Sequence, residues 1–141
     1  QIIDHDLRIF SESDRILNEQ KIADFLVKVE YRVIEEDTEG HYFFQYLDYF
    51  DQAGNQFLNR KIKKSLRTLY FELDKLSDFI GKHFMDKPGK INGRLFFEPD
   101  IKNKYPSDEY DKYFNEMILL RNEAKEAYNQ YRIIVKKKLL I

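Results

Sequence analysis

Three histidines, a knot of four carboxylates and a run of five cations are the residues here whose types and spacing bear on chemistry. A carboxylate-bridged metal pair in a helical bundle needs Glu-x-x-His on two helices. Ile2, Thr38 and Ile80 stand three residues before His5, His41 and His83, so that motif is missing. His-x-x-x-His is missing too, and no metal site is expected. No Arg precedes a histidine by four to six residues, the spacing of small helical ribonucleases of the HEPN class. His83 falls near the C-terminal end of a helix, where a protonated ring would favourably meet the dipole.

Nucleophilic catalysis needs a Ser or Thr held against a base, and Ser11, Ser13, Ser65, Ser77 and Ser107 form no Gly-x-Ser-x-Gly elbow. The glycines Gly40, Gly54, Gly81, Gly89 and Gly93 make neither Gly-x-Gly-x-x-Gly nor Gly-x-x-x-x-Gly-Lys, so no phosphate cradle is expected. With no cysteine in the chain, thiol nucleophiles, thiolate metal sites and disulfides are excluded. Glu35, Glu36, Asp37 and Glu39 are the densest carboxylates, and the simple reading is a solvated acidic turn. No catalytic residue and no cofactor are expected.

Charge carries more information. Residues 1–58 hold 13 acidic and 5 basic side chains, net −8, whereas residues 59–141 hold 12 acidic and 19 basic, net +7. Arg60, Lys61, Lys63, Lys64 and Arg67 stand where a long helix begins, and the macrodipole disfavours cations there by some tenths of a kcal/mol each. Something must offset that. The expected partner is the chain's own acidic half, and the alternative is an outside anion such as RNA or anionic lipid.

The elements that position these groups read as helices. Short polar residues from Ser11 to Asp14 can cap a helix over about 13 to 35, with Ile16, Leu17, Ile22, Phe25, Leu26, Val29 and Val33 at roughly helical spacing. In the ring-dense run 41–53, Phe43, Tyr46, Leu47 and Phe50 share a helical face, with a strand as the alternative. Leu58, Ile62, Leu66, Leu69, Leu73, Leu76 and Ile80 recur at steps of four and three, a bundle seam on a helix of about 56 to 84. Ser107 is expected to cap a second long helix with the seam Tyr110, Tyr113, Met117, Leu120, Ala124, Ala127, Tyr131 and Ile134. Asp108, Glu109 and Asp111 lead it, and Lys136 to Lys138 close it, as the dipole prefers. Between the long helices, residues 86–106 carry all three prolines, with Pro88-Gly89 and Asn92-Gly93 as turn signals and a small hairpin at the latter.

These elements make an all-α fold, an antiparallel bundle of about four helices whose two long members are joined by a Pro/Gly-containing crossover loop. At 141 residues, 43% hydrophobic and 35% charged, the chain suits one globular domain spanning 1–141. Twelve Phe and ten Tyr mean that rings fill much of the core. No run approaches the roughly 18 apolar residues of a membrane span. Nothing at the N-terminus resembles a signal peptide, so a cytoplasmic address is expected. The opening at Gln1, without an initiator Met, predicts excision or processing from a longer chain. Ile2, Ile3, Leu139, Leu140 and Ile141 lack a core position, which predicts weak homo-oligomerisation through the termini.

The opening Asp6-Leu-Arg-Ile-Phe-Ser-Glu-Ser-Asp-Arg-Ile-Leu-Asn-Glu, the Lys82-His-Phe after a long helix and the closing Leu120-Arg-Asn-Glu-Ala-Lys-Glu-Ala-Tyr-Asn-Gln-Tyr-Arg resemble an uncharacterised group of bacterial all-helical proteins. The resemblance implies a bacterial helical domain and assigns no activity. The leading expectation is a non-enzymatic module for protein–protein interaction or assembly. The rival is an anion binder acting through Arg60, Lys61, Lys63, Lys64 and Arg67, with nucleic acid as its first partner.

Overall fold

The computed structural model describes residues 1–87, 89, 93–102 and 105–141. Among them lie α1 (Ile2–Ile16), α2 (Glu19–Glu30), β1 (Val33–Glu35), α3 (Glu39–Asp51), α4 (Arg60–His83), β2 (Phe84–Met85), β3 (Arg94–Phe97), α5 (Glu98–Lys102) and α6 (Ser107–Leu139), with a 3-10 turn at Ala53–Asn55. Of the described residues 78% are helical, so all-α describes the fold broadly. Six helices and a three-stranded sheet stand among the described residues in place of the expected four helices.

The long seam is the frame. Ile62, Leu66, Leu69, Leu73, Leu76 and Ile80 are all buried along α4, while Leu58 precedes the helix and is 53% exposed. Asn59 caps α4, its side-chain oxygen accepting from the N–H of Lys61 and Ile62 at 3.0 and 3.1 Å. Helix α6 runs antiparallel to α4, since Lys75 meets Glu123 at 3.2 Å and the His83 ring lies 4.6 Å from that of Tyr113. Helix α6 buries Met117, Ala124, Tyr128, Tyr131, Val135 and Leu139, leaving the expected Leu120, Ala127 and Ile134 half-buried. Met117, Ala124 and Tyr131 stay buried at every seventh residue, and Tyr128 and Val135 take the inner places next to Ala127 and Ile134, so the core face of α6 is turned to that side of the expected seam. Ser107 makes no cap bond. It is the first helical residue, behind Pro106, whose extended backbone stops the helix from starting earlier.

The expected helix over about 13 to 35 is three elements. Leu17 leaves helical geometry at φ −142°, and the Asn18 side chain accepts from the Lys21 N–H at 2.9 Å to start α2. Helical spacing continues across this corner because α1 and α2 bury their apolar faces in the same core, which conceals the break. Val33 joins β1, opposite Phe96. Helix α3 follows its apolar pattern, burying Phe43, Tyr46, Leu47 and Phe50, and Phe43 stacks on Phe25 at 4.3 Å between centroids.

The crossover 86–106 is more than a loop. Strand β3 pairs antiparallel with β1 on one side and β2 on the other, with Val33 opposite Phe96 and Phe84 opposite Phe97. The hairpin therefore joins β2 to β3. The turn signals Pro88 and Asn92, and Ile91 beside them, lie outside the described residues. Arg32 turns the chain from α2 into β1 in the left-handed region at φ 65°. Its carbonyl accepts from the Phe97 N–H, and its Nε donates to Asp100 at 2.7 Å.

Two close contacts lock the α-helices to one another and to the sheet. The Asp6 carboxylate, fully buried, accepts from the N–H of Leu58 at 2.8 Å and of Asn59 at 2.9 Å, and lies 3.0 Å from His5 Nδ1. At Gly40, a Cβ would stand 2.8 Å from the Glu35 carbonyl oxygen and 2.9 Å from an Ile34 methyl. Asp6→Ala should lower the urea-unfolding free energy by about 2–3 kcal/mol, because two backbone donors lose their acceptor. Gly40→Ala should cost about 1–2 kcal/mol net, since displacing a backbone carbonyl outweighs the gain in helix propensity. Retained stability in either variant would place the constraint elsewhere.

Candidate functional site

Arg60, Lys61, Lys63, Lys64 and Arg67 are all exposed in the first two turns of α4. Among the described residues none of them lies within 4.0 Å of a carboxylate, so the expected pairing with the acidic half is not made there. The two halves of the chain do pair, but through other arginines: Arg94 to Glu35 at 2.9 Å, Arg121 to Glu30 at 3.4 Å and Arg132 to Asp14 at 2.6 Å. The reason is geometric. The seam faces inward, so residues 60, 64 and 67, spaced by four and three, point away from the core as a ridge.

That ridge continues, four residues on, to Phe71, a ring 60% exposed. A hydrophobic ring opposite the seam was the missed signal: it interrupts an otherwise polar face, and the seam pattern does not need it. The Lys75 ammonium sits 4.9 Å from the centre of that ring. On one flank, Lys63, Arg67 and Phe71 line a cleft of about 370 Å³ between α3 and α4, shared with Asp51, Tyr70 and Asp74. On the other flank, Lys61 and Lys64 line a groove of about 650 Å³ between α4 and α6. The five cations thus form a ridge between two recesses.

Antiparallel packing adds the end of α6 to this cluster. Like-charge repulsion from Lys61, chiefly, holds the Lys138 ammonium below its ordinary pKa, with Lys137 adding to it. Lys136, Lys137 and Lys138 are the last-turn cations of α6. Cations from two helices therefore crowd one end of the molecule.

The carboxylate knot is partly tied down. Glu35 takes Arg94 and Lys28, and Glu39 takes Lys28 at 3.5 Å, while Glu36 and Asp37 stay exposed. Burial pushes Glu39 up, but the Thr38 hydroxyl, its own backbone N–H and Lys28 together hold it below the usual carboxylate range. The knot joins α2, the sheet and α3, which is a structural role. In the crossover, the Tyr105 hydroxyl donates to Glu98 and that of Tyr110 to Asp100, and both phenols are pushed up to about 12. Among the described residues, no three of His, Asp and Glu gather closely enough to hold a metal ion.

His83 differs from the dipole partner expected of it. Its ring is packed between Phe79 at 4.5 Å and Tyr113 at 4.6 Å, and burial lowers its pKa, although Glu116 and Glu98 act the other way. The folded state therefore favours the neutral ring. Between the folded pKa and the ordinary value of 6.5, the unfolded chain binds more protons, so stability should fall as pH drops below about 6.5. Urea midpoints between pH 7.5 and 5 should show that fall, and His83→Gln should flatten it. An equal slope in the variant would assign the effect to another group.

No known protein family, no curated protein and no solved structure matches this chain.

Proposed function

We propose that this chain is a non-enzymatic helical binding module whose α4 ridge takes an anionic partner, a single-stranded nucleic acid, by phosphate neutralisation and base stacking. The observation that supports it most is the exposure of Arg60, Lys61, Lys63, Lys64 and Arg67 without an ion-pair partner among the described residues. From sequence, protein docking ranks first because no catalytic constellation is present and bundle faces are common docking surfaces, with the five cations expected to pair with the acidic half. The exposure of those cations favours the anion binder instead.

Phe71 adds the second requirement. Sequence-tolerant binding of single strands combines a cationic track with exposed rings on which bases stack, each base contributing about 1–3 kcal/mol. Arg67 and Phe71 lie one turn apart on the ridge, and Lys63 borders the same cleft. A duplex fits less well, because its bases are already stacked on one another and leave no free face for Phe71. No described helix is long and apolar enough to cross a membrane. A single helical domain at a cytoplasmic address accords with this reading. Protein docking remains the second reading, favoured by the apolar lining of the α4–α6 groove.

Fluorescence anisotropy with a labelled oligo-uridine tests it. Arg60→Gln/Lys63→Gln/Arg67→Gln should weaken binding at least tenfold and flatten the salt dependence by about two phosphate contacts, at about 0.7 per phosphate for a single strand. Phe71→Ala should weaken binding about tenfold and leave the salt slope alone. The triple variant relieves repulsion among cations, so its urea midpoint should stay level or rise. A lowered midpoint, or no binding by the parent at low salt, would overturn the proposal.

A further inference from the structure

The groove between α4 and α6 has a charge order that the ridge does not use. Lys61 and Lys64 line one end, and Glu72, Glu123 and Glu126 line the other. Between them lie Ser65, Thr68, Ala127, Gln130 and Ile134. Lys75 lies 2.9 Å from Glu72 and 3.2 Å from Glu123, so two of the three carboxylates share one ammonium and the acidic end keeps a net charge of about −2. The basic end gains Lys138, which stands against Lys61. Along the outer edge of α6, Leu119, Glu123, Glu126, Gln130 and Ile133 follow at steps of four and three. Leu119 and Ile133 are 57% and 58% exposed.

We propose that this face docks a second copy of the same chain about a two-fold axis that crosses both helices at the level of Thr68 and Gln130. The axis follows from the charges. A two-fold along the helices would set the basic end on the basic end. One across them reverses the ends, placing Lys64 opposite Glu72 of the partner subunit and Lys137 opposite Glu123 of the partner subunit. Two-fold interfaces pair one patch with itself, so a patch whose two ends carry opposite charge is self-complementary in this orientation and repulsive in the other. Ala127 and Ile134, the apolar side chains between the charged ends, then leave water, and Ser65, Thr68 and Gln130 beside them meet polar copies across the axis.

From Lys61 to Lys75 the face spans about 20 Å, and two neighbouring helices make it about 20 Å wide. Roughly 400 Å² per copy is below the usual size of a stable interface, so the dimer is weak and forms at micromolar concentrations and above. This docking shares Lys61 and Lys64 with the ridge, whereas Arg60, Lys63, Arg67 and Phe71, which the nucleic-acid test alters, lie outside the groove, so the two tests read different residues.

The experiment uses the absence of cysteine from the chain. Gln130→Cys sets two thiols across the axis, whereas Asn129→Cys, exposed on the same helix but on the side that faces α2, does not. Under mild oxidation at 100 µM, roughly the range expected for a small interface, Gln130→Cys should form the disulfide dimer at least tenfold faster than Asn129→Cys. Sedimentation equilibrium of the parent should show a reversible dimer that high salt weakens. Gln130→Arg, which places two guanidinium groups face to face, should raise its dissociation constant at least tenfold. Circular dichroism of each variant reports that the exposed substitutions leave the fold intact. Equal cross-linking at both positions, as docking through the apolar termini would give, or a strict monomer at high micromolar concentration, overturns the proposal.

Discussion

A fully buried carboxylate sets where everything else must go. Asp6 is on the core face of α1, in line with Ile9, Phe10 and Ser13, and its two oxygens take the N–H groups of Leu58 and Asn59. Those donors belong to the segment entering α4, so a residue near the start of the chain fixes where the main helix of the frame begins. A buried carboxylate is tolerable only if its acceptor sites are filled, and here backbone donors and His5 fill them. Break that contact, and α1 loses its register on α4 while the start of α4 loses its anchor. The negative charge also sits at the positive end of the α4 dipole, where it favours the helix just before the exposed cations begin.

That anchoring explains why the cations stay outside. With Asn59 capping α4 and Asp6 holding the segment before it, the apolar seam from Ile62 to Ile80 has only one way to face. The residues opposite that seam project into solvent whatever their charge. Most acids of the first half are elsewhere: Glu35 and Glu39 at the sheet, Glu30 at the end of α2, and Asp14 and Glu19 at the α1–α2 corner, while Asp51, which shares the cleft with Lys63 and Arg67, accepts from the Tyr70 hydroxyl instead. Net charge per half is a property of the chain, and pairing is a property of faces. The opposed charges of the two halves were therefore a sound guide to their association and a poor guide to which side chains meet.

Wherever an apolar repeat meets a core along its whole length, the sequence is legible. The seam of α4 and the ring face of α3 show it, with every expected position buried except Leu58. Legibility failed where a local backbone contact overrides a repeat. The corner at Leu17 and Asn18 keeps helical spacing on both sides, so periodicity alone reads through it. The sheet was illegible because its strands have two to four residues, too short for alternation to register, and β1 finds its partner about sixty residues away. At the candidate site the cations were found directly from their run, whereas Phe71 was missed because an isolated exposed ring looks like any other surface apolar residue until the face it occupies is known. Asp6 was hidden for the opposite reason: a lone acid in a helix reads as surface, and its burial depends on donors some fifty residues on.

The division of labour among the cations follows from their chemistry. Among the described residues, each ion pair between a cation of the second half and an acid of the first is made by an arginine, at positions 94, 121 and 132, and Arg32 reaches from the first half to Asp100. Arg132 shows why: only 12% of its side chain is exposed, and it meets Asp14 at 2.6 Å, the Tyr128 hydroxyl at 3.0 Å and the rings of Phe10 and Tyr128. A planar, weakly hydrated guanidinium can satisfy carboxylate, phenol and ring at once, which a compact and strongly hydrated ammonium cannot. Lysines fill three of the five ridge positions, where the side chains are exposed and a strongly hydrated ammonium keeps its water. The most enclosed of these sites, at 121 and 132, thus hold arginine for its geometry, while the ridge cations meet no carboxylate among the described residues, which is why substitutions there should change folding little.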